Sequence, residues 1–432
     1  MKNRSRVLFV CGTFSLSLLL YIDRTCISVA KGPIAESLNL SDTQMGWVLS
    51  AFALGYALAQ TPSGYLADRF GPRIVLSGIV TIWSLFTALT GAAFNYLSLL
   101  IYRFLFGVGE SGAFPSMARA SFSWIPLKER GLVTGINFSG SRLGAAFALP
   151  LMAWLISAVG WRNTFYILGG IGIFWAVAWW YFFRDNPEDH KGVSEEEKAF
   201  ILENRQKPVK TENNLNASIL LSSPNMWFTM IQYFCSNFTF FFSLTWLFPY
   251  IKETYDIDAM QAGWLTSLPL IGGAFGNWIS GYFMDFLYGK GHWVLSRRLT
   301  AIIGFALAAI GLIGSMQMES AMGAVLMLTI AIFGADMTLS PSWSFCVDIG
   351  AKNAGVVSGT MNMAGNVGSF VTGLAFPYIT AWFAASALVG EGQLFATKTD
   401  PFFYIAATLN VFAIFMWLLM SPKKPLLKEA VS

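Results

Sequence analysis

Two pairs of opposite charges stand in stretches that are otherwise oily. In "SLLLYIDRTCISVA", residues 17–30, Asp23 and Arg24 are neighbours, and in "YRFLFGVGES", residues 102–111, Arg103 precedes Glu110 by seven positions. At the centre of a lipid-embedded helix each such charge costs at least about 2.5 kcal/mol, so a charge kept there marks a pathway by default. On a helix Arg103, Gly107 and Glu110 step by four and three and share one face. Their outer backbones are then about 10 Å apart, too far for a static ion pair on one straight helix. At that distance and an effective dielectric of about 20 they attract by about 1.7 kcal/mol. Desolvation of a carboxylate is of comparable size, which leaves Glu110 able to titrate as its exposure changes. On the first run Tyr21, Arg24 and Ser28 share a face, with Asp23 about 100° round. Arg24 can therefore face a cavity while Asp23 turns towards a neighbouring helix. Two guanidinium forks suit a carboxylate. The four charges cancel when both acids are ionised, and protonating both leaves two positive charges for an anion.

The elements that must hold these residues are membrane helices. The chain is 55% hydrophobic and 12% charged, about half the charged share of soluble domains. Its 40 glycines and 16 tryptophans fit membrane helices and their interfaces. Apolar runs of bilayer length recur near 7–30, 44–66, 73–91, 95–117, 131–157 and 163–183. After a polar gap they resume near 226–251, 261–285, 298–316, 321–345, 354–384 and 401–421. A secretory signal is the alternative for the first run, with the basic start "MKNRSR" and the small residues "SVA"; eleven further runs count against it. The gap at 184–223 reads as a linker, and its "SEEE" (194–197) has the form of a capping box opening a short surface helix. With the N-terminus inside, only Lys31, Arg162, Lys252 and Lys398 of the 28 basic residues face outward, and Arg24, Arg103, Arg119 and Arg142 are counted with the spans. Both termini are then expected in the cytoplasm. The four cysteines lack CxxC spacing and lie in or beside apolar runs, which speaks against disulfides and zinc. No intramembrane histidine or ligand cluster supports a metal site or an enzyme, and the short polar segments leave no room for the signalling domain of a receptor.

The chain also repeats itself. Residues 43–68 align with 260–285 at an offset of 217, with ten identities that include Gly55/Gly272, Ser63/Ser280, Gly64/Gly281 and Asp68/Asp285. At offset 224, Gly131, Val133, Gly135 and Gly144 match Gly355, Val357, Gly359 and Gly368. An even number of spans per half gives two parallel copies, a known carrier architecture in which the halves rock about a midplane site. Aligning span 4 with span 10 at offset 226 sets "ESGAFPS" (110–116) on "DMTLSPS" (336–342). Glu110 then meets Asp336, and Arg103 meets Thr329. Asp336 is expected to be a gate or an auxiliary proton site.

"GYLADRFGPR" (64–73) resembles the loop signature of the major facilitator superfamily. "YIDR" in span 1, "RFLFGVGE" in span 4, "WIPLKERG" before span 5 and "SGTMNMAGNVGS" in span 11 are similar to its anion:cation symporter branch, which includes bacterial galactonate, glucarate and hexuronate carriers and sialin. The resemblance runs nearly end to end. It implies an all-α membrane protein of twelve transmembrane helices in two parallel-repeat six-helix bundles. The expected divisions are 1–183, a cytoplasmic linker at 184–223, and 224–432 with a cytoplasmic tail. By the same resemblance Arg24 and Arg103 bind the anion, Asp23 and Glu110 couple protons, and Asn362 contacts a substrate hydroxyl. Tyr21 and Ser141 join the substrate set. Ser141, followed by Arg142, stands where galactonate carriers have a glutamine, and the shorter side chain makes room for a larger substrate or drops a hydrogen bond. Asp68 with Arg69 and Arg73, and Asp285 in the second copy, resemble the gating latch.

The sequence thus reads as a monomeric, multi-pass carrier of a bacterial inner membrane, driven by the proton gradient without a cofactor or metal. Its partners are a small organic anion, protons and the bilayer, with no nucleic acid. A sugar acid (hexonate, hexuronate or aldarate) is the expected cargo. An organophosphate or inorganic-phosphate exchanger is the alternative, since it too would want two arginines; an exchanger has less need of Asp23 and Glu110. In span 7, "FTFFFSLTWLFPY" (238–250) reads as packing and lipid contact, with Trp246 and Tyr250 as candidate exceptions lining the substrate.

Overall fold

Glycine and proline punctuate the apolar runs into helices. The first group is α1 (Arg4–Val29), α2 (Lys31–Leu38), α3 (Asp42–Phe70), α4 (Pro72–Gly91), α5 (Tyr96–Glu110), α6 (Ala113–Trp124) and α7 (Arg130–Phe182). The linker holds α8 (Glu195–Asn204) and α9 (Ala217–Ser222). The second group is α10 (Pro224–Thr245), α11 (Leu247–Thr254), α12 (Ala259–Gly289), α13 (Trp293–Met316), α14 (Ala321–Met337), α15 (Leu339–Gly350), α16 (Ala354–Phe383) and α17 (Asp400–Leu419). This computed structural model describes residues 4–206, 215–257, 259–384, 386–390 and 392–426. The centre of the expected linker and the end of the expected tail lie outside the described residues. Apart from an isolated bridge between Val389 and Phe395, the described residues hold no β-structure.

Local chemistry explains where helices start, turn and stop. Ser41 and Gln44 form a reciprocal capping box at the start of α3, and Asn95 and Ser98 do the same for α5. The long α7 bends at Gly160, whose φ of 79° suits glycine and separates the two expected spans. Among the described residues, seven stretches are long and apolar enough to cross a bilayer on those grounds alone, one of them running from Ala321 to Phe383. Helices α3, α10 and α12 have the length but fall below that apolarity, because they turn polar side chains inward. Gln60 and Ser63, Gln232 and Thr239, and Asn277 and Ser280 are all buried.

Spans 4 and 10 are not continuous helices. Each breaks directly after its acid: α5 ends at Glu110 and α14 ends just past Asp336. Pro115 and Pro341 cause this, since a proline cannot donate to the carbonyl four residues earlier and its ring crowds that turn. The carbonyl released at Met337 accepts instead from Ser280 Oγ at 2.5 Å. In the first repeat the matching residues, Ser63 and Ser111, bond through their hydroxyls at 2.9 Å. Both copies therefore set a serine of the second span beside the break, and in the second copy its hydroxyl takes up the freed carbonyl.

The chain divides into two compact units. Unit 1 comprises the described residues within Met1–Ile219, Cys346–Met363 and Pro425–Ser432, and unit 2 those within Leu220–Phe345 and Ala364–Lys424. In unit 1, α1 packs on α7, α3 on α5, and α4 on both α5 and α7. In unit 2, α12 and α13 pack on α14, and α17 on α10 and α13. Glycines let these backbones touch. A Cβ at Gly55 would lie 2.2 Å from the Phe104 carbonyl, and one at Gly107 2.2 Å from that of Phe52. Small residues at such crossings are the usual means of close helix packing in membranes. The phenylalanine-rich second half of span 7 joins the core of unit 2, where Phe238, Phe242 and Tyr250 meet Phe376, Phe402 and Phe403. Tyr250 is buried in that core, and Trp246 packs against it while donating to the Gly373 carbonyl. Both side chains are thus committed to packing.

The linker helix α8 is bolted to unit 1. Ser194 caps it as its sequence suggests, accepting from the Glu197 N–H. The other half of the expected box is diverted: the Glu197 carboxylate accepts the backbone N–H groups of Ser5 and Arg6 at 3.2 and 3.1 Å. It thereby satisfies donors in the first turn of α1, where a negative charge is favoured. Arg6 closes the cluster by pairing with Glu129 and stacking on Phe200.

Candidate functional site

The glycine contacts between α3 and α5 bring the aromatic face of α3 against the charged face of α5. Arg24, from α1, enters this corner. Its Nε donates to Glu110 Oε1 at 2.5 Å, and its guanidinium stands 4.9, 5.2 and 4.5 Å from the ring centres of Tyr21, Phe52 and Tyr56. Cations so placed over aromatic faces gain about 0.5–2 kcal/mol each. Arg103 also lies near Phe52, 5.4 Å from its centre, and 4.4 Å from that of Phe106. The same-helix pairing of Arg103 with Glu110 is absent, as the spacing required; the glutamate takes its partner from another helix.

Several polar atoms in this corner are buried without hydrogen bonds: Arg24 Nη2, Arg103 Nε, Glu110 Oε2 and both carboxylate oxygens of Asp23. Asp23, Arg103 and Glu110 are each only 1% exposed, whereas the Arg24 side chain is 21% exposed. Unpaired buried groups of this kind are rare and costly. Asp23 turns away from Arg24 towards α4 and α5, with the Trp83 indole, Glu110 and Arg103 acting on it. Arg24 can reach a solute while Asp23 stays enclosed.

The remaining expected site residues fall in different places. Ser141 is fully buried on α7 with an unpaired hydroxyl, between Gly140 and Gly144, which pack on the Phe14 and Leu18 carbonyls of α1. Arg142 beside it is also buried. Asn362 is buried on α16 within unit 1, next to the turn where Thr360 and Met363 meet Thr61 of α3. Asp336 belongs to unit 2 and is buried against Gly273, where a Cβ would stand 2.2 Å from its carboxylate. Phe52, Tyr56 and Trp83 were missed. The first two share one face of α3 four residues apart, a signal present in the sequence that helical spacing could have caught.

The four expected gating residues do not act as one cluster. Asp68 caps the start of α16, accepting from the N–H groups of Gly355 and Val356 at 2.8 and 2.7 Å, with the Arg119 Nε 3.9 Å away. Gly64 and Gly355 make room for this, each packed on the other's carbonyl. Arg119, counted with the spans from the sequence, thus stands beside this cap. Arg73 instead serves the linker: its backbone N–H donates to Asp185 Oδ1, its Nε donates to the Trp180 carbonyl, and its charge lies over the Trp180 ring. Burial holds the Asp185 carboxyl above its ordinary range, against the opposing pull of the Arg73 N–H and of Arg119. Arg69 lies over Phe70, and Asp285 belongs to unit 2. A buried ion pair joins Arg130 to Asp348, with Gln206 accepting from Arg130 and donating to the Asp348 carbonyl.

Asp68→Ala is expected to strand two N–H groups at the first turn of α16, at a cost of about 1–3 kcal/mol. A cysteine placed at Val356 should then react at least several-fold faster with a maleimide reagent than in the parent. An unchanged rate would mean that Asp68 is not holding this end closed.

Comparison with known proteins follows the same line. The family model described as Major Facilitator Superfamily matches residues 13–373. The "Probable sulfoacetate transporter SauU" of Cupriavidus necator is 33% identical over 88% of this chain and 90% of its own. The "Probable galactarate/D-glucarate transporter GarP" of Escherichia coli K12 is 32% identical over 91% and 93%. Among solved structures, the proton:xylose symporter XylE matches with a TM-score of 0.72 over 98% of both chains, at 16% identity, a likeness of fold alone.

Proposed function

The chain belongs to the Major Facilitator Superfamily, a family of membrane transporters rather than enzymes, and we propose that it imports an organic anion together with protons. The cargo we propose is a sugar acid of the hexonate, hexuronate or aldarate class. We place the protein in the bacterial inner membrane with both termini in the cytoplasm, on the distribution of its basic residues.

The observation that carries this reading is the Arg24–Glu110 pair among unpaired neighbours. While Glu110 is ionised it occupies Arg24, and the corner is electrically balanced. A proton on Glu110 removes that competitor and frees the fork of Arg24 for a carboxylate. Arg103, without a carboxylate partner of its own, supplies the second positive charge. Protonation of Asp23 completes the change from a balanced site to one carrying two positive charges. Anion and proton therefore assist each other's binding, and that coupling is reciprocal by linkage. Alternating access then carries both across, with the Asp68 cap and the Arg130–Asp348 pair as contacts that must open on the cytoplasmic side. The printed names of the relatives, for galactarate/D-glucarate and for sulfoacetate, support an anionic cargo.

A thermal-shift screen of the purified protein tests the cargo. A sugar acid at about 100 times its Kd adds about 2.7 kcal/mol of stability and should raise the melting midpoint, while the parent neutral sugar should leave it unmoved. Equal shifts from acid and neutral sugar would remove the anion reading. A shift with inorganic phosphate or a sugar phosphate, and none with carboxylates, would favour the exchanger instead.

A further inference from the structure

We propose that Trp83 is a positioning residue of the proton site, its indole N–H serving as the hydrogen-bond donor that receives the Asp23 carboxylate when it is ionised. This rests on the proton-coupling role proposed above for Asp23.

Trp83 is fully buried on α4. It sits at the level of the site because α5 lies directly on its backbone: a Cβ at Gly109, the residue before Glu110, would be 3.0 Å from the Trp83 nitrogen and 3.2 Å from its Cα. A side chain at 109 would displace the backbone that carries the indole. The indole comes close enough to Asp23 to act on its carboxyl. Yet Trp83 Nε1 and both Asp23 oxygens lack a hydrogen bond of good geometry. A buried indole N–H normally finds an acceptor, and a buried carboxylate normally finds donors. Here a lone donor from α4 and a lone acceptor from α1 are both buried around Glu110, Arg24 bonding it and the Trp83 backbone lying against the residue before it.

The other groups acting on Asp23 make the assignment more specific. From α5 come Glu110 and Arg103, and from its own helix Cys26, one turn along. Arg103 makes no ion pair, and Glu110 is held by Arg24. Trp83 is therefore the neutral donor among the groups that act on Asp23. A neutral donor has a particular advantage at a proton site. It favours the ionised acid enough to hold it in place but adds no charge that would keep the next proton off. A protonated Asp23 offers the indole only a neutral acceptor, so the contact weakens each time the proton binds.

The test uses the full-length chain labelled with 5-fluorotryptophan, the Trp83 fluorine resonance being identified by its loss in Trp83→Phe. Between pH 5 and 9 that resonance should move with a single midpoint. It should be flat in Asp23→Asn and should still titrate in Glu110→Gln. In Trp83→Phe the pH profile of uptake should move about one unit towards alkaline pH, the size expected from losing one hydrogen bond to a charged group. A flat Trp83 resonance in the parent, in a protein whose uphill uptake is lost in Asp23→Asn, would overturn the assignment. So would a resonance that titrates unchanged in Asp23→Asn. Normal uphill uptake by Asp23→Asn would instead overturn the proton role of Asp23, and the resonance keeps the two failures distinct.

Discussion

Glu110→Gln is expected to abolish uphill accumulation of the anion while leaving exchange across the membrane in place. In the parent a one-unit pH gradient is worth about 1.4 kcal/mol per proton, a factor of about ten in accumulation. In the variant the accumulation ratio should fall to about one. The amide keeps the shape of the side chain, and its carbonyl can still accept from Arg24 Nε, so the corner should fold. What it lacks is a charge to release. Arg24 then stays available at every pH, anion binding persists, and the rise in affinity with falling pH seen in the parent should flatten. Uptake into proteoliposomes with and without a pH gradient, compared with counterflow exchange of labelled substrate, separates the two effects. Normal accumulation by the variant would place proton coupling elsewhere.

Arg24→Ala should have the opposite signature, with binding itself failing. Truncating one partner of a buried charge pair costs about 2–5 kcal/mol, a loss of roughly 30-fold to several thousand-fold in affinity. The loss is compounded because Glu110 is left buried without its partner, and because the three rings around Arg24 lose their cation. Arg24→Lys should rescue little, since an ammonium cannot form the planar two-pronged contact with a carboxylate. Titration calorimetry with a sugar acid reads this directly, with size-exclusion chromatography confirming that the variant remains folded. Affinity within threefold of the parent would remove Arg24 from the anion site.

The fold was largely legible because membrane helices advertise themselves by length and apolarity, and because the repeat shows twice where helices must touch. Gly55 and Gly272 match in the alignment, and both lie at close helix contacts, against Phe104 and Thr329. The breaks after Glu110 and Asp336 were less legible. Pro115 and Pro341 were visible in the alignment, but a proline in a membrane helix is often accommodated when neighbours mend the lost bonds. At Met337 the mending group is the Ser280 hydroxyl of another helix, which no local pattern announces.

The site was legible in its charges and not in their partners. Helical spacing correctly kept Arg103 from pairing with Glu110 and turned Asp23 away from Arg24, because both follow from the geometry of one helix. That Glu110 pairs with Arg24, 86 positions away, depends on how three helices pack, and no local rule contains it. The same holds for Asp68: its sequence motif marks it, yet its partners are backbone N–H groups with no side-chain signature. Glu197 shows the reverse case. Its local motif described a capping box, and a more distant helix start, unsatisfied at Ser5 and Arg6, took the carboxylate instead. Trp83 was one of sixteen tryptophans in a chain where most could serve as lipid or interface contacts, and nothing in its spacing set it apart.

The central claim is that an anion and a proton are bound together because Glu110 and the substrate compete for Arg24. Proton uptake on anion binding tests it most directly, in lightly buffered detergent solution near neutral pH with an indicator dye. Saturating sugar acid should draw on the order of one proton from solution per anion bound, and far fewer in Glu110→Gln at equal occupancy. Anion binding with no proton uptake, or with proton release, would contradict the account.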